Sequence, residues 1–164
     1  MTLKVYKAKR DFKKTPEPKG KKAGGGKELT FVIQKHAASH LHYDFRLEHR
    51  GVLVSWAVPK EPPKVAGVKR LAIHVEDHPL SYGEFEGTIP EGNYGAGKVA
   101  IWDRGTYSAL GAETRGESAK RVEEGLEKGH VAIVLKGKKL KGNYDLIHLK
   151  RADKKNMWIL VKRK

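Results

Sequence analysis

From Leu29 onward the chain alternates apolar and polar residues with a period of two. Such runs at Leu29–Gln34, His40–Glu48, Val52–Val58, Arg70–Val75, Lys98–Trp102, Val131–Lys136, Asn143–Leu149 and Met157–Lys162 predict eight strands. Gly51, Gly105, Gly137 and Gly142 punctuate them. A helical period occurs once, over Ser118–Lys128, where Val122 and Leu126 share a face and Gly125 weakens the helix. Many short strands with little helix predict a mainly β fold. The expected form is a compact closed or nearly closed barrel of about eight strands with one or two short helices, because closure removes unpaired edges. The length of 164 residues suits one core. Trp56, Trp102 and Trp158 are assigned to that core rather than to base stacking.

Residues 1–28 follow no such period. They carry ten basic side chains against Asp11, Glu17 and Glu28, and predict an irregular basic arm with a flexible joint at Gly24–Gly26. The expected organisation is therefore an arm over 1–28 and a barrel domain over 29–164. Across the whole chain Lys and Arg outnumber Asp and Glu by 34 to 19, a net charge of +15, which favours a polyanionic partner through phosphate neutralisation. No apolar run reaches the roughly 20 residues of a membrane helix, and no signal pattern opens the chain, so an intracellular, cytoplasmic protein is expected. The absence of cysteine excludes a disulfide framework, a zinc finger and a thiol nucleophile. Any metal must then sit on His and carboxylate ligands.

Those ligands concentrate around His40–Glu48. Leu41, Tyr43, Phe45 and Leu47 point to one face of the predicted strand, and His40, His42, Asp44, Arg46 and Glu48 to the other. His42 and Asp44 stand one strand repeat apart, roughly 6.5–7 Å at the backbone, so their side chains can converge on one cation. His36, just before this strand, can supply a third ligand. Two imidazoles and a carboxylate suit Mn²⁺, Fe²⁺ or Zn²⁺. In the next block Arg70, His74, Glu76 and His78 share one parity, opposite Leu71, Ile73 and Val75. Arg46, Arg70 and His78 beside a metal fit phosphoryl chemistry, in which cationic groups neutralise charge building on the phosphoryl oxygens. His78 serves either as proton donor or as phosphate ligand; the spacing suits both. Lys60 is a candidate phosphate contact. The Gly-rich run Gly87–Gly97 lacks the ending of a P-loop, and either closes over the site or supplies turns.

Four blocks resemble a known family. Gln34-Lys-His-x5-His-x-Asp-Phe-Arg-Leu-Glu48, Ser55-Trp-Ala-Val-Pro-Lys60, Val75-Glu-Asp-His-Pro-Leu80 and the run Phe85–Gly97 are similar to the 3′-phosphoesterase module of bacterial DNA ligase D. Lys9-Arg-Asp-Phe and Thr15-Pro-Glu17 extend the likeness into the arm. The resemblance implies a compact β-barrel working best with Mn²⁺, with Co²⁺ or Zn²⁺ as substitutes. It implies an activity that resects a 3′-terminal ribonucleotide and then removes the resulting 3′-phosphate to expose a 3′-OH. It makes His36, His42 and Asp44 the metal ligands, and gives the reaction to Arg46 and His78 with Tyr82. Lys60, Arg70, Gln34 and Glu76 then support the site, while Arg10, Asp11 and Glu17 fold the arm back onto it. The implied partners are a DNA or DNA/RNA primer–template and an end-joining ligase, polymerase or Ku. A monomer associated with a prokaryotic nucleoid is expected.

Two alternatives compete. A non-haem iron oxygenase would use His42-x-Asp44 with a distant His such as His78 or His148. A non-catalytic nucleic-acid-binding barrel would bind without a metal.

Overall fold

The computed structural model describes residues 3–19, 27–150 and 155–164, so the joint expected at Gly24–Gly26 lies outside the described residues. In chain order the elements are helix α1 (Lys4–Ala8), strands β1 (Leu29–Ala37), β2 (Leu41–His49), β3 (Val52–Val58) and β4 (Lys69–Pro79), and a 3₁₀ helix (Leu80–Glu84). Strands β5 (Gly87–Ile89) and β6 (Gly97–Ala109), helix α2 (Arg115–Lys128), and strands β7 (His130–Gly137), β8 (Lys141–His148) and β9 (Met157–Lys162) follow. The strands pair antiparallel in the order β1-β2-β3-β4-β9-β8-β7-β6, and β6 pairs back onto β1. The result is a closed eight-stranded barrel, with β5 added to β6 as an extra strand.

Alternation decides what fills the barrel. One apolar cluster draws on all eight barrel strands, among them Phe31, Ile33, Phe45, Leu47, Trp56, Ala72, Tyr107, Ile133, Tyr144 and Trp158. Helix α2 adds Val122 to it, and Leu126 and Trp102 pack against it. The helix begins at Thr114, whose side chain accepts from the Glu117 amide, and ends at the left-handed Gly129. A second cluster lies on the outer face of the sheet, where Tyr6, Val32, Leu53, Tyr82, Phe85, Ile89 and Val99 pack together. The arm and the 3₁₀ segment thus cover the outside of β1 and β3. Within the arm, Lys4–Ala8 forms a helical turn where an irregular course was expected. Five residues are too few to show a period, and the fully buried Tyr6 ring holds the turn by packing.

Two bulges explain why the strands outrun their sequence signals. Leu53 pairs with His78 while Ser55 pairs with Val75, so β4 holds one extra residue there and its side-chain parity switches. Before the switch, His74 stacks on Trp56 at 5.2 Å between ring centroids, rather than joining Glu76 and His78 on the outer face. The other bulge sets Ile33 opposite Asp103 and Gln34 opposite Ile101, leaving Trp102 out of the β1–β6 ladder.

Gly97 pins the Gly-rich run to the barrel. Its φ is +140°, and a Cβ there would lie 2.2 Å from the Ala37 carbonyl oxygen at the end of β1. Gly97→Ala is expected to lower unfolding free energy by at least about 2 kcal/mol through strain and overlap. Gly92→Ala, also at positive φ but with nothing within 4 Å, is expected to lose less. Urea midpoints of the two variants measure the difference; equal losses would mean that the close approach at Gly97 is not what holds the run.

Candidate functional site

The β1–β2 hairpin builds the centre. Its register sets His36 opposite His42, Gln34 opposite Asp44 and Val32 opposite Arg46. Gln34, His36, His42, Asp44 and Arg46 therefore share the outer face, while Ile33, Tyr43 and Phe45 enter the core. His36 belongs to β1 itself, not to a segment before the hairpin, and this direct cross-strand pairing is what brings the two imidazoles together. Their ring centroids are 4.7 Å apart.

The three side chains can hold one ion. His36 Nδ1 lies 3.5 Å from Asp44 Oδ2, and His42 Nε2 lies 3.3 Å from Asp44 Oδ1. One donor atom from each residue falls within 4.8 Å of the others. The far nitrogens face backbone carbonyls: His36 Nε2 is 2.6 Å from the Gly95 oxygen, and His42 Nδ1 is 3.1 Å from the His40 oxygen. A carbonyl only accepts, so each carbonyl fixes an N–H outward and leaves the other nitrogen's lone pair turned toward Asp44. Lone pairs aimed at a carboxylate need a cation or proton between them. The donor set fits a divalent transition metal.

Electrostatics around Asp44 agree. Burial alone would raise its carboxyl pKa, but the Arg46 guanidinium and the two imidazoles outweigh burial and hold it far below the usual carboxylate range. For His42 burial works downward, yet the hydrogen bond and charge of Asp44 leave its pKa raised. Arg46 is locked from three sides. Its Nε donates to Gln34 Oε1 at 2.6 Å, its Nη1 to Ser55 Oγ at 2.9 Å, and its Nη2 lies 3.4 Å from Asp44 Oδ2. Gln34 in turn donates to the Tyr82 and Phe85 carbonyls at 2.7 and 3.1 Å. It acts from behind, as a brace for Arg46.

The arm and the bulged end of β4 form the opposite wall. Glu17 accepts from Arg10 Nε at 3.0 Å, Tyr82 Oη at 2.7 Å and Thr15 Oγ1 at 3.0 Å. Arg10 Nη2 reaches to 3.4 Å from His78 Nε2, and Lys9 Nζ sits 3.3 Å from Glu76 Oε2. His78 Nδ1 faces the Glu76 carbonyl at 2.9 Å, which leaves Nε2 with a lone pair beside Arg10. Burial first, then the charges of Arg46 and Arg10, push the His78 pKa well down, so its ring is neutral at rest. Together these groups enclose a cavity of about 350 Å³ lined by His36, His42, Asp44, Arg46, Glu76, His78, Tyr82, Arg10 and Glu17.

Some expected members lie elsewhere. Lys60 is exposed beyond the end of β3 and does not line the cavity. Arg70 precedes the bulge, and its Nε donates to the Glu61 carbonyl at 2.8 Å. Asp11 is exposed and accepts from the Lys13 amide at 3.1 Å, a turn contact next to Arg10. His40 contributes only its carbonyl, and His148 stacks on Trp158. Other contributors had been given no role: Ser55 and Thr15 stood within the quoted motifs without one, and Tyr6, whose ring lies 5.0 Å from His78, stood outside them. The Gly-rich run does close over the site, through Tyr94 and the Gly95 carbonyl.

Residues 34–148 match the family model described as the DNA ligase D 3′-phosphoesterase domain. The chain is 51% identical over 164 residues to the multifunctional non-homologous end joining protein LigD of Pseudomonas aeruginosa, covering 99% of this chain and 18% of that protein. It is 50% identical over 143 residues to the LigD protein of Mycobacterium tuberculosis, with 87% and 18% covered. Against that of Mycolicibacterium smegmatis it is 46% identical over 155 residues, with 90% and 19% covered. The chain thus spans about a fifth of the length of these relatives.

A divalent ion that binds only the folded state should raise the melting temperature. At a hundred times its Kd the gain is about 2.7 kcal/mol, or roughly 5–10 °C for a chain of this size. Asp44→Asn should remove most of that shift; an undiminished shift on Mn²⁺ addition would dismiss the centre. Because the raised His42 must be deprotonated to ligate, the shift should shrink as pH falls from neutrality, while Asp44 stays ionised.

Proposed function

The chain belongs to the DNA ligase D 3′-phosphoesterase domain family, and from that membership we propose that it heals 3′ ends with Mn²⁺ as its metal. It cuts behind a 3′-terminal ribonucleotide as a phosphodiesterase, leaving a 3′-phosphate, and then removes that phosphate as a phosphomonoesterase to leave a 3′-OH. The observation that carries this reading is one cavity in which a His-His-Asp centre meets the guanidiniums of Arg46 and Arg10 and the ring of His78.

Held by His36, His42 and Asp44, a divalent ion supplies positive charge for the phosphoryl oxygens. Arg46 offers Nη2, the guanidinium nitrogen bound to neither Gln34 nor Ser55. Since its other contacts are already made, it neutralises developing charge without rearranging. His78 is neutral at rest; the negative charge of a phosphate bound between it and Arg10 raises its proton affinity, so it takes up a proton and passes it to the leaving oxygen. Tyr82, hydrogen-bonded to Glu17, orders the wall that holds Arg10. On this reading the described part of the arm, from Tyr6 to Glu17, is a working part of the site, as the resemblance implied.

The net charge of +15 supports a nucleic-acid substrate, a DNA or DNA/RNA primer–template. We further propose end-joining partners, a ligase, polymerase or Ku, and a cytoplasmic, nucleoid-associated setting; the relatives' printed role in non-homologous end joining supports this reading. Among the described residues no helix is long and apolar enough to cross a membrane. The oxygenase alternative is disfavoured by the guanidiniums that border the cavity, and His148 stacks on Trp158 rather than joining His42.

Two labelled primer–templates decide the matter, one ending in a ribonucleotide and one in a 3′-phosphate, each incubated with Mn²⁺. Both should be converted to 3′-OH ends, EDTA and His42→Ala should stop the reaction, and His78→Ala should slow it by about a hundredfold or more. Binding without conversion of either end would instead support a non-catalytic barrel.

A further inference from the structure

Tyr94 stands out among the exposed large hydrophobic side chains. Of those among the described residues, Val5, Leu41, Val65, Tyr94 and Ile147, it alone is aromatic and it alone lines the cavity, with 49% of its surface open to water. Its position is tightly set. The next residue, Gly95, has its carbonyl 2.6 Å from His36 Nε2, and a turn bond from the Ala96 amide to the Asn93 carbonyl closes the loop. From the arm, Lys9 Nζ donates to Tyr94 Oη at 3.3 Å and stands 4.6 Å from the ring centroid. Arg10, which also borders His78, lies 5.5 Å from the same ring. An exposed ring is thus fixed one residue from the brace of a metal ligand and on the guanidinium that flanks the reactive histidine.

We infer that Tyr94 is the stacking platform for the 3′-terminal nucleoside that departs in the diesterase step, a specificity element resting on the phosphoesterase reading. Aromatic rings stack on any base, so such a platform takes a terminal nucleoside whatever its base. A diester end carries a nucleoside on each side of the scissile phosphate, whereas a 3′-phosphate end carries one only. The side of the cavity beside Tyr94 is roofed by Lys9 and Arg10, which also reach Glu76 on β4. In the step, water's oxygen bonds to phosphorus as the bond to the departing nucleoside's 5′ oxygen breaks. Water's proton is released while one arrives on that oxygen, giving free nucleoside and a 3′-phosphate strand.

The test compares kcat/KM on the two ends for the intact chain and for Tyr94→Ala, Tyr94→Phe and Tyr94→Trp. Tyr94→Ala should lower kcat/KM about tenfold or more on the ribonucleoside end, the scale of one lost stack, with most of the change in KM. Release of phosphate from the 3′-phosphate end should change less than about twofold, since that end presents nothing to stack. Phe and Trp should restore the diester activity, showing that the ring rather than the hydroxyl is used. Equal losses on both ends, no loss on either, or failure of Phe to rescue each overturn the role of Tyr94. If the unsubstituted chain processes neither end, the phosphoesterase reading falls first, so the two failures are distinguishable.

Discussion

A carboxylate buried in the sheet's outer face sets the terms for everything around it. Asp44 is only 6% exposed, and an anion there is tolerated only where opposite charge and hydrogen bonds replace water. Arg46 and the two imidazoles do so. Arg46 then requires Gln34 and Ser55, and Gln34 requires the carbonyls of Tyr82 and Phe85. One charge thereby organises two strands, a neighbour and the segment after β4. Removing a single member exposes the rest of the network to an unpaired buried group, which costs more than the lost bond itself.

Glu17 plays the same part for the arm. It draws Arg10, Tyr82 and Thr15 together, while Tyr6 supplies the apolar anchor and its hydroxyl donates to the Pro18 carbonyl. The arm is thus attached by packing on one side and by charge on the other. His78 lies between the two anion-centred networks, against Tyr6 at 5.0 Å and Tyr82 at 4.7 Å, in surroundings that keep its ring uncharged.

Much of this was legible in the alternation of the chain. The barrel, the core tryptophans and the shared face of His42, Asp44 and Arg46 follow from a period of two, which β2 keeps without interruption. What was not legible follows from breaks in that period. The extra residue opposite Leu53–Ser55 turned Arg70 and His74 away from Glu76 and His78, and parity counting cannot see a bulge. His36 needed the register of the hairpin, which depends on the turn as well as on the strands. Gly95 contributes a backbone carbonyl, and a main-chain atom leaves no mark in side-chain chemistry.

The two faces of the β1–β2 hairpin have a consequence for how such a chain can vary. Ile33, Phe45 and Leu47 fill the barrel while His36, His42, Asp44 and Arg46 line the cavity, along the same strands. A slip of one position would send the charges into the oil and the oil into the water. An insertion or deletion within these strands therefore disturbs core and cavity together unless a bulge absorbs it, whereas a length change in a connection disturbs neither. Molecules paired in the wrong frame lack both core and catalysis, so the active fraction of a preparation doubles as a census of correctly registered chains.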